Sequence, residues 1–413
     1  MSFVFNPMDP EVLRNPYPTY KRMRDECPVY RHPGGFWALT RYQDVSEALK
    51  DAATFSSSAM GRQSQQRMPM GMAQQMAAAR DGDRAMQLDS IGQSLISEDP
   101  PTHTEQRNIV NRGFTPSRIG ALEPRIEELA DELFAAFQSR GHCDLTAEFA
   151  NPLPVSVIAE LLGLDPNKRD DFKKWSSDII IGATQVGGMG ESVIDSMLKF
   201  RGVIEDAVED RKQHPGTDLI SILVDAGLGE GILDADSTMG FAGLLLAAGS
   251  ETTTNLIGNV MVTLMEDPGL AKKVREDHES IKPLLEESLR HDPPVQMLMR
   301  LTTTDTEVCG TEIPAGNMVM MMLGSANRDE TRFPNPDEFD IDRNTQGHLG
   351  FGFGNHFCLG ASLARLEGTI AVAQLVERLR EPRLAAPEVE YHGSFLIRGP
   401  AKLPIEFEPR VAV

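Results

Sequence analysis

Cys358 stands in the run GFGNHFCLG (residues 352–360), after glycine turns and before the stretch ASLARLEGTIAVAQLVERL, which reads as a helix. The first N–H groups of a helix lack partners within it and carry the positive end of its dipole. N–H groups near Leu359 and Gly360 can therefore point at the sulfur and favour its thiolate. Gly352, Gly354 and Gly360 let the backbone turn tightly and let something flat lie close to it. Those are the needs of a thiolate that holds a metal macrocycle. Two other readings compete. An isolated cysteine is most often a small buried apolar residue. A nucleophilic one would need His356 as its base, yet residues two apart at a helix entrance rarely face each other, and no third group is placed to orient that histidine.

Other residues could serve chemistry or merely structure. GLLLAAGSETTTNLIGN puts Glu251 beside Thr252 in the most apolar part of the chain. A buried carboxylate is costly unless satisfied or functional, and a threonine hydroxyl both donates and accepts hydrogen bonds. The competing reading is a threonine-rich kink, with hydroxyls bonded back to carbonyls one turn earlier. In LLEESLRHDPP, Glu287 and Arg290 share a helix face, a spacing that in solvent contributes little. In DPPTHTEQRNIVNRGFTP, His103 and Arg107 are likewise on one face. Taken singly, each is an ordinary surface charge.

Elements must position these groups. IGALEPRIEELADELFAAF and VIEDAVEDRKQ carry apolar residues at three- and four-residue spacing against a charged face, and helices are predicted from about 100 to 292. FWALTRYQDV reads as a strand entering a helix that DVSEALKDAATF continues. TEVCGTEIPAGNMVMMML reads as short strands around a Pro-Ala-Gly turn, and SFLIRGPAKLPIEFEP as further extended pieces. The expectation is a mainly α chain with a small β portion near 20–60 and 300–410, undivided over residues 1–413. Residues 57–98, including QRMPMGMAQQMAAAR, read as a long loop; methionine adapts to irregular apolar ligands, so part of it is expected to close over a substrate.

Composition excludes several partners. The 413 residues hold 40 Lys+Arg against 61 Asp+Glu, a formal net charge of −21. Such a surface repels nucleic acid and anionic membrane. Residues 237–265 are apolar but interrupted by Glu251, Gly and Asn, which predicts a central helix rather than a membrane span. MSFVFNPMDPEVLRNPYPTY lacks the basic and apolar regions of a signal peptide. Cys27, Cys143, Cys309 and Cys358 have no CxxC or CxxCH spacing. That argues against a disulfide framework, a zinc module, an iron–sulfur centre and a covalently attached haem, and fits a reducing cytoplasm.

With Phe351 before it, GFGNHFCLG resembles the haem-binding loop of the cytochrome P450 family, and the resemblance runs from PYPTYKRMRDECPV to RGPAKLPI. It implies the triangular, mainly α fold of that family, and a non-covalent haem b with Cys358 as the thiolate ligand of its iron. Phe351 and Gly360 would complete the ligand loop. Ala248 and Gly249 would lie where dioxygen binds, with Thr252 and Glu251 delivering protons. His103, Arg107, Arg300 and His356 would meet the haem propionates. Glu287, Arg290 and Arg343, which ends NRDETRFPNPDEFDIDR, would form a buried structural network. Val295, Leu298 and Phe395 are pocket candidates by family position.

The activity implied is insertion of one oxygen atom from O2 into an apolar organic substrate, by hydroxylation or epoxidation. Electrons would come from a ferredoxin and its reductase, with Arg112 and Arg365 as docking candidates, and the enzyme would be a cytoplasmic monomer. A relay acid must change partners during turnover, so Glu251 is expected to be free of a locking ion pair. The alternatives are a peroxide-driven or nitric-oxide-reducing haem-thiolate enzyme, a haem sensor without turnover, and a cysteine-nucleophile enzyme. The Glu251–Thr252 pair weighs against the peroxide-driven one, since peroxide already carries its protons.

Overall fold

The apolar stretch around Glu251 forms one helix, Ala235–Glu266, of 32 residues, about 48 Å long at 1.5 Å per residue. Helices Pro152–Leu161, Glu191–Gln213, Ile281–His291 and Ala361–Arg378 all pack against it. A helix covered on several sides has no polar stripe to present, which is why this one is apolar nearly all round. Leu246, Leu256, Ile257 and Val260 lie in the core. By contrast Glu123–Phe137 is amphipathic: Ile126, Leu129, Ala130, Phe134 and Phe137 are buried, and the helix packs on Ala361–Arg378. This computed structural model describes residues 3–59, 95–165, 168, 170–172, 174–176, 178, 191–230 and 235–409. The expected lid over 57–98 lies mostly outside the described residues.

The β portion is small. A five-stranded sheet runs in the order Val29–Arg31, Phe36–Leu39, Met318–Met321, Leu298–Thr302, Phe55–Ser56. Its pairs are antiparallel except Phe36–Leu39 with Met318–Met321. A second sheet joins His142–Asp144, Pro404–Glu408 and Arg380–Leu384. Two-stranded pairs are formed by Thr306–Val308 with Thr311–Ile313 and by Glu390–Tyr391 with Pro400–Lys402. The mainly α architecture with a minor β part is the one expected.

Two local expectations need correction. The helix entered after Phe36–Leu39 spans Tyr42–Lys50 and does not continue to Phe55. The Asp51 carboxylate accepts from the Thr54 N–H at 3.0 Å, closing a turn that delivers Phe55–Ser56 to the edge of the sheet. His142–Asp144, inside the region expected to be helical, is a strand because Pro404–Glu408 offers it a ladder. Among the described residues no helix is long and apolar enough to cross a membrane.

Candidate active site

The loop bearing Cys358 is fixed at several points before the thiol is reached. Asn327 Oδ1 accepts from the Leu349 N–H at 2.6 Å, and the Cys358 N–H donates to the Phe351 carbonyl at 2.9 Å. Gly354 has φ +72°, and a Cβ there would stand 2.5 Å from the Leu49 carbonyl oxygen. The loop is therefore seated on the end of helix Tyr42–Lys50, at a position only glycine fits. Burial pushes the Cys358 thiol above its ordinary value, against a hydrogen bond from the Gly360 N–H and the positive charges of Arg107 and Arg365. The Gly360 N–H at the helix entrance thus acts in the expected direction, toward the thiolate, while desolvation opposes it.

Behind the loop, Arg290 donates to both carboxylate oxygens of Glu287 at 2.7 Å, and both side chains are fully buried. Arg290 also reaches the carbonyls of Asn327, Pro336 and Glu338 at 3.0, 2.8 and 3.2 Å. Nε of Arg343 lies 3.4 Å from Glu287, whose Oε1 also accepts from the Asp340 N–H at 2.9 Å. The three sequence-selected residues come together and tie the segment before the thiol loop to helix Ile281–His291.

Above the thiol is a cavity with about 1330 Å³ of atom-free space, part of it open to solvent. Cys358, Phe351 and Gly360 line one side, and Ala248, Gly249 and Thr252 of the central helix another. A Cβ on Gly249 would meet Ile158 at 2.9 Å, so the bare backbone also admits that side chain. Val295 and Leu298 line the cavity. Phe395 does not: it lies in a separate cleft against Phe5, Val12 and Tyr20. That corrects its assignment as a pocket residue.

One rim of the cavity is cationic. The rings of His103 and His356 lie 4.2 Å apart, Arg107 Nη2 donates to the Phe357 carbonyl at 2.8 Å, and Arg107 and Arg300 line the cavity with His356. Burial, then Arg300, His103 and Arg107 push His356 down to about 3, and burial followed by Arg107 lowers His103. Both ring nitrogens of His103 are buried without a partner. Two arginines crowded beside a histidine with no partner suit an anionic guest, such as the two carboxylates of a haem. The donor set, thiol and cavity fit that group. Two residues here were missed. Ser57 Oγ lies 3.2 Å from His356 Nε2. Asp99 sits beside the cluster, its carboxylate held by the hydroxyls of Ser56 and Ser58 and the N–H groups of Ser57 and Ser58. Burial raises Asp99, but those hydrogen bonds outweigh it and leave the carboxyl below its ordinary value. The Asp-Pro-Pro run was the available signal.

On the central helix, Thr252 Oγ1 donates to the Ala248 carbonyl at 2.6 Å. The back-bonded arrangement and a place at the cavity wall therefore coexist. Glu251 is buried and faces His392, with Oε1 3.0 Å from Nε2, so the expectation of a carboxylate without an ion-pair partner is corrected. Helix geometry turns its side chain away from that of Thr252. Arg365, the second docking candidate, is also engaged: it makes a two-pronged pair with Glu286 at 2.6 and 2.9 Å and lies over the Phe351 ring. Arg112 is exposed at the end of helix Thr102–Asn111.

The family model described as Cytochrome P450 matches residues 189–402. The chain is similar to the vitamin D(3) 25-hydroxylase of Pseudonocardia autotrophica, 38% identical over 406 residues, with 97% of this chain and 95% of that protein covered. It is similar also to the cyclomarin C epoxidase CymV of Salinispora arenicola, 37% identical over 391 residues, covering 93% and 94%. Among solved structures, cytochrome P450 CYP109Q5 from Chondromyces apiculatus aligns with a TM-score of 0.87 at 38% identity, over 99% of both chains.

Proposed function

The chain belongs to the cytochrome P450 family of haem-thiolate monooxygenases, and from that premise we propose that Cys358 ligates the iron of a haem b lying between the thiol loop and the central helix. The observation that carries the reading is the cavity itself, with Cys358 on one side, Ala248–Thr252 on another and His103, Arg107, Arg300 and His356 at its rim. When bound, the haem supplies oxygen activation and the transfer of one oxygen atom to substrate.

The chain's own residues bind, orient and meter. His103, Arg107, Arg300 and His356 hold the propionates by charge-assisted hydrogen bonds. The Gly360 N–H supports the sulfur. The Glu287–Arg290–Arg343 network keeps the loop in register and takes no part in the chemistry. Leu244, Leu245, Val295 and Leu298 present an apolar wall, which orients an apolar organic substrate and keeps bulk water from the reacting centre. The Thr252 hydroxyl, which donates to the Ala248 carbonyl, presents Oγ1 to the cavity as an acceptor, and Glu251 passes protons to that side.

The finer assignments are an apolar substrate, a ferredoxin and ferredoxin reductase as electron source, and action as a monomer in the cytoplasm. They accord with the apolar lining, the absence of a membrane-length helix among the described residues and the scattered cysteines. Two similar enzymes are named for vitamin D3 and cyclomarin C, which favours a large, mostly apolar molecule. The test is the carbon monoxide spectrum of the reduced holoprotein, followed by binding spectra against terpenes, steroids, fatty acids and aromatics. A strongly red-shifted Soret band is expected; a Soret band without that shift overturns thiolate ligation.

A further inference from the structure

Adjacent side chains on a helix point roughly 100° apart, so Glu251 and Thr252 cannot face the same way. Thr252 lines the cavity, and Glu251 looks instead toward the segment after strand Glu390–Tyr391. There His392 Nε2 lies 3.0 Å from Glu251 Oε1. The backbone of His392 is fixed by its N–H, which donates to the Gly399 carbonyl at 3.1 Å. Nε2 is sealed from solvent and not aligned for a hydrogen bond, while 25% of the side chain is exposed. One nitrogen of the imidazole thus faces a buried carboxylate, and the rest of the ring reaches a cleft lined by Val12, Leu13, Ser394 and Phe395. The other ionisable groups around it are Tyr20 across the cleft and the stacked pair Arg398–Tyr391 at 3.9 Å, with Arg398 held by Asp292 at 2.9 Å. Glu251 is the carboxylate within its reach among the described residues.

We propose that His392 is the surface end of the proton path into the cavity and hands protons to Glu251. This rests on the reading of Glu251 as the acid that feeds Thr252. Histidine suits the position because its ordinary value lies near neutrality, so it gains and loses a proton readily. The imidazolium gives its Nε2 proton to the Glu251 carboxylate, leaving neutral imidazole and a neutral carboxyl. The carboxyl turns toward Thr252 and releases that proton into the cavity. The part-exposed ring then swings to water and is protonated again. No electron moves in these steps, and the two protons consumed per oxygen atom inserted come from solvent. His392 acts through Glu251, so it is a positioning residue and donor to that acid.

The test compares the holoprotein with His392→Gln, His392→Phe and Glu251→Gln, with electron donors in excess and a substrate found by binding spectra. Gln keeps a hydrogen-bonding group at residue 392 but cannot ionise, so a merely structural contact survives it and a proton donor does not. His392→Gln is expected to slow product formation about tenfold, less than the ~10²–10⁴ of a group that acts directly on the reacting atoms, and to raise the solvent deuterium isotope effect. NMR of the His392 ring supplies a readout independent of turnover: Glu251→Gln should shift its ring resonances, since the carboxylate facing Nε2 at 3.0 Å is lost. A parental rate in His392→Gln while Glu251→Gln is slow overturns the role of His392 and leaves that of Glu251 standing. Parental rates in all three variants overturn both. Unchanged His392 ring resonances in Glu251→Gln show that the two side chains do not meet, and overturn the path.

Discussion

Replacing Arg290 by alanine isolates what the buried network contributes. Arg290 donates five hydrogen bonds, two to Glu287 and one each to the carbonyls of Asn327, Pro336 and Glu338. In Arg290→Ala, Glu287 keeps the Asp340 N–H at 2.9 Å and the more distant Arg343 at 3.4 Å. Removing one partner of a buried ion pair costs about 3–5 kcal/mol. Against a folding free energy of about 5–15 kcal/mol, that is about a fifth of the total or more. At a urea slope of about 3 kcal/mol per molar, the unfolding midpoint should fall by about 1–1.7 M. Arg290→Lys keeps the charge but not the planar fork that spans both carboxylate oxygens, so an intermediate loss is expected. Glu287→Met with Arg290→Met removes both charges but leaves three carbonyls without their donor, and should recover only part of the stability. The assay is urea unfolding followed by far-ultraviolet circular dichroism. A fall of less than about 0.3 M in Arg290→Ala, using the same slope, would refute the reasoning, since the pair would then add almost nothing.

Cys358→His should abolish the thiolate-type carbon monoxide spectrum while Cys27→Ala, Cys143→Ala and Cys309→Ala preserve it; a normal spectrum in the Cys358 variant sinks the assignment. Thr252→Val should keep that spectrum and substrate binding, yet yield less product and more hydrogen peroxide per reductant consumed; coupling equal to the parent removes the hydroxyl from proton delivery. Glu367 is buried in helix Ala361–Arg378, its carboxyl pushed up to about 8 by burial. The folded state holds that proton where the unfolded chain has lost it. Its contribution is therefore full below about 4.5 and falls by about 1.4 kcal/mol per pH unit until about 8. Unfolding midpoints measured across that window should decline less steeply in Glu367→Gln than in the parent, and parallel curves would show that the carboxyl does not titrate with folding.

Features that depend on local pattern were readable before the structure. The helical periods, the strand–turn–strand run after Arg300 and the glycine-rich thiol loop are written in neighbouring residues, and the motifs brought His103, Arg107, Arg300 and His356 to one rim. What was not readable depends on partners distant in sequence. His142–Asp144 is a strand only because Pro404–Glu408 lies beside it. Phe395 leaves the pocket because the N-terminal segment offers it a cleft. The Cys358 thiol is governed by desolvation, which no spacing rule reports, and His392 meets Glu251 through a turn whose placement only the fold supplies. Helix Tyr42–Lys50 ended early for a local reason, the Asp51 turn, that alternation of apolar residues hid.

The thiol loop rests on residues made long before it. Leu49 supports Gly354, Ser57 approaches His356, and Arg107 donates to the Phe357 carbonyl across a separation of 250 residues. At about 5–20 residues per second of synthesis, Arg107 leaves the ribosome roughly 12–50 s before that carbonyl exists. Throughout this interval His103 and Arg107 have neither the loop nor the prosthetic group to face. The cavity therefore cannot close until the loop at residues 352–360 has been made, and cofactor capture has to wait for it. A cell short of haem would accumulate chains that have made the loop yet keep an open cationic rim, rather than chains arrested before it.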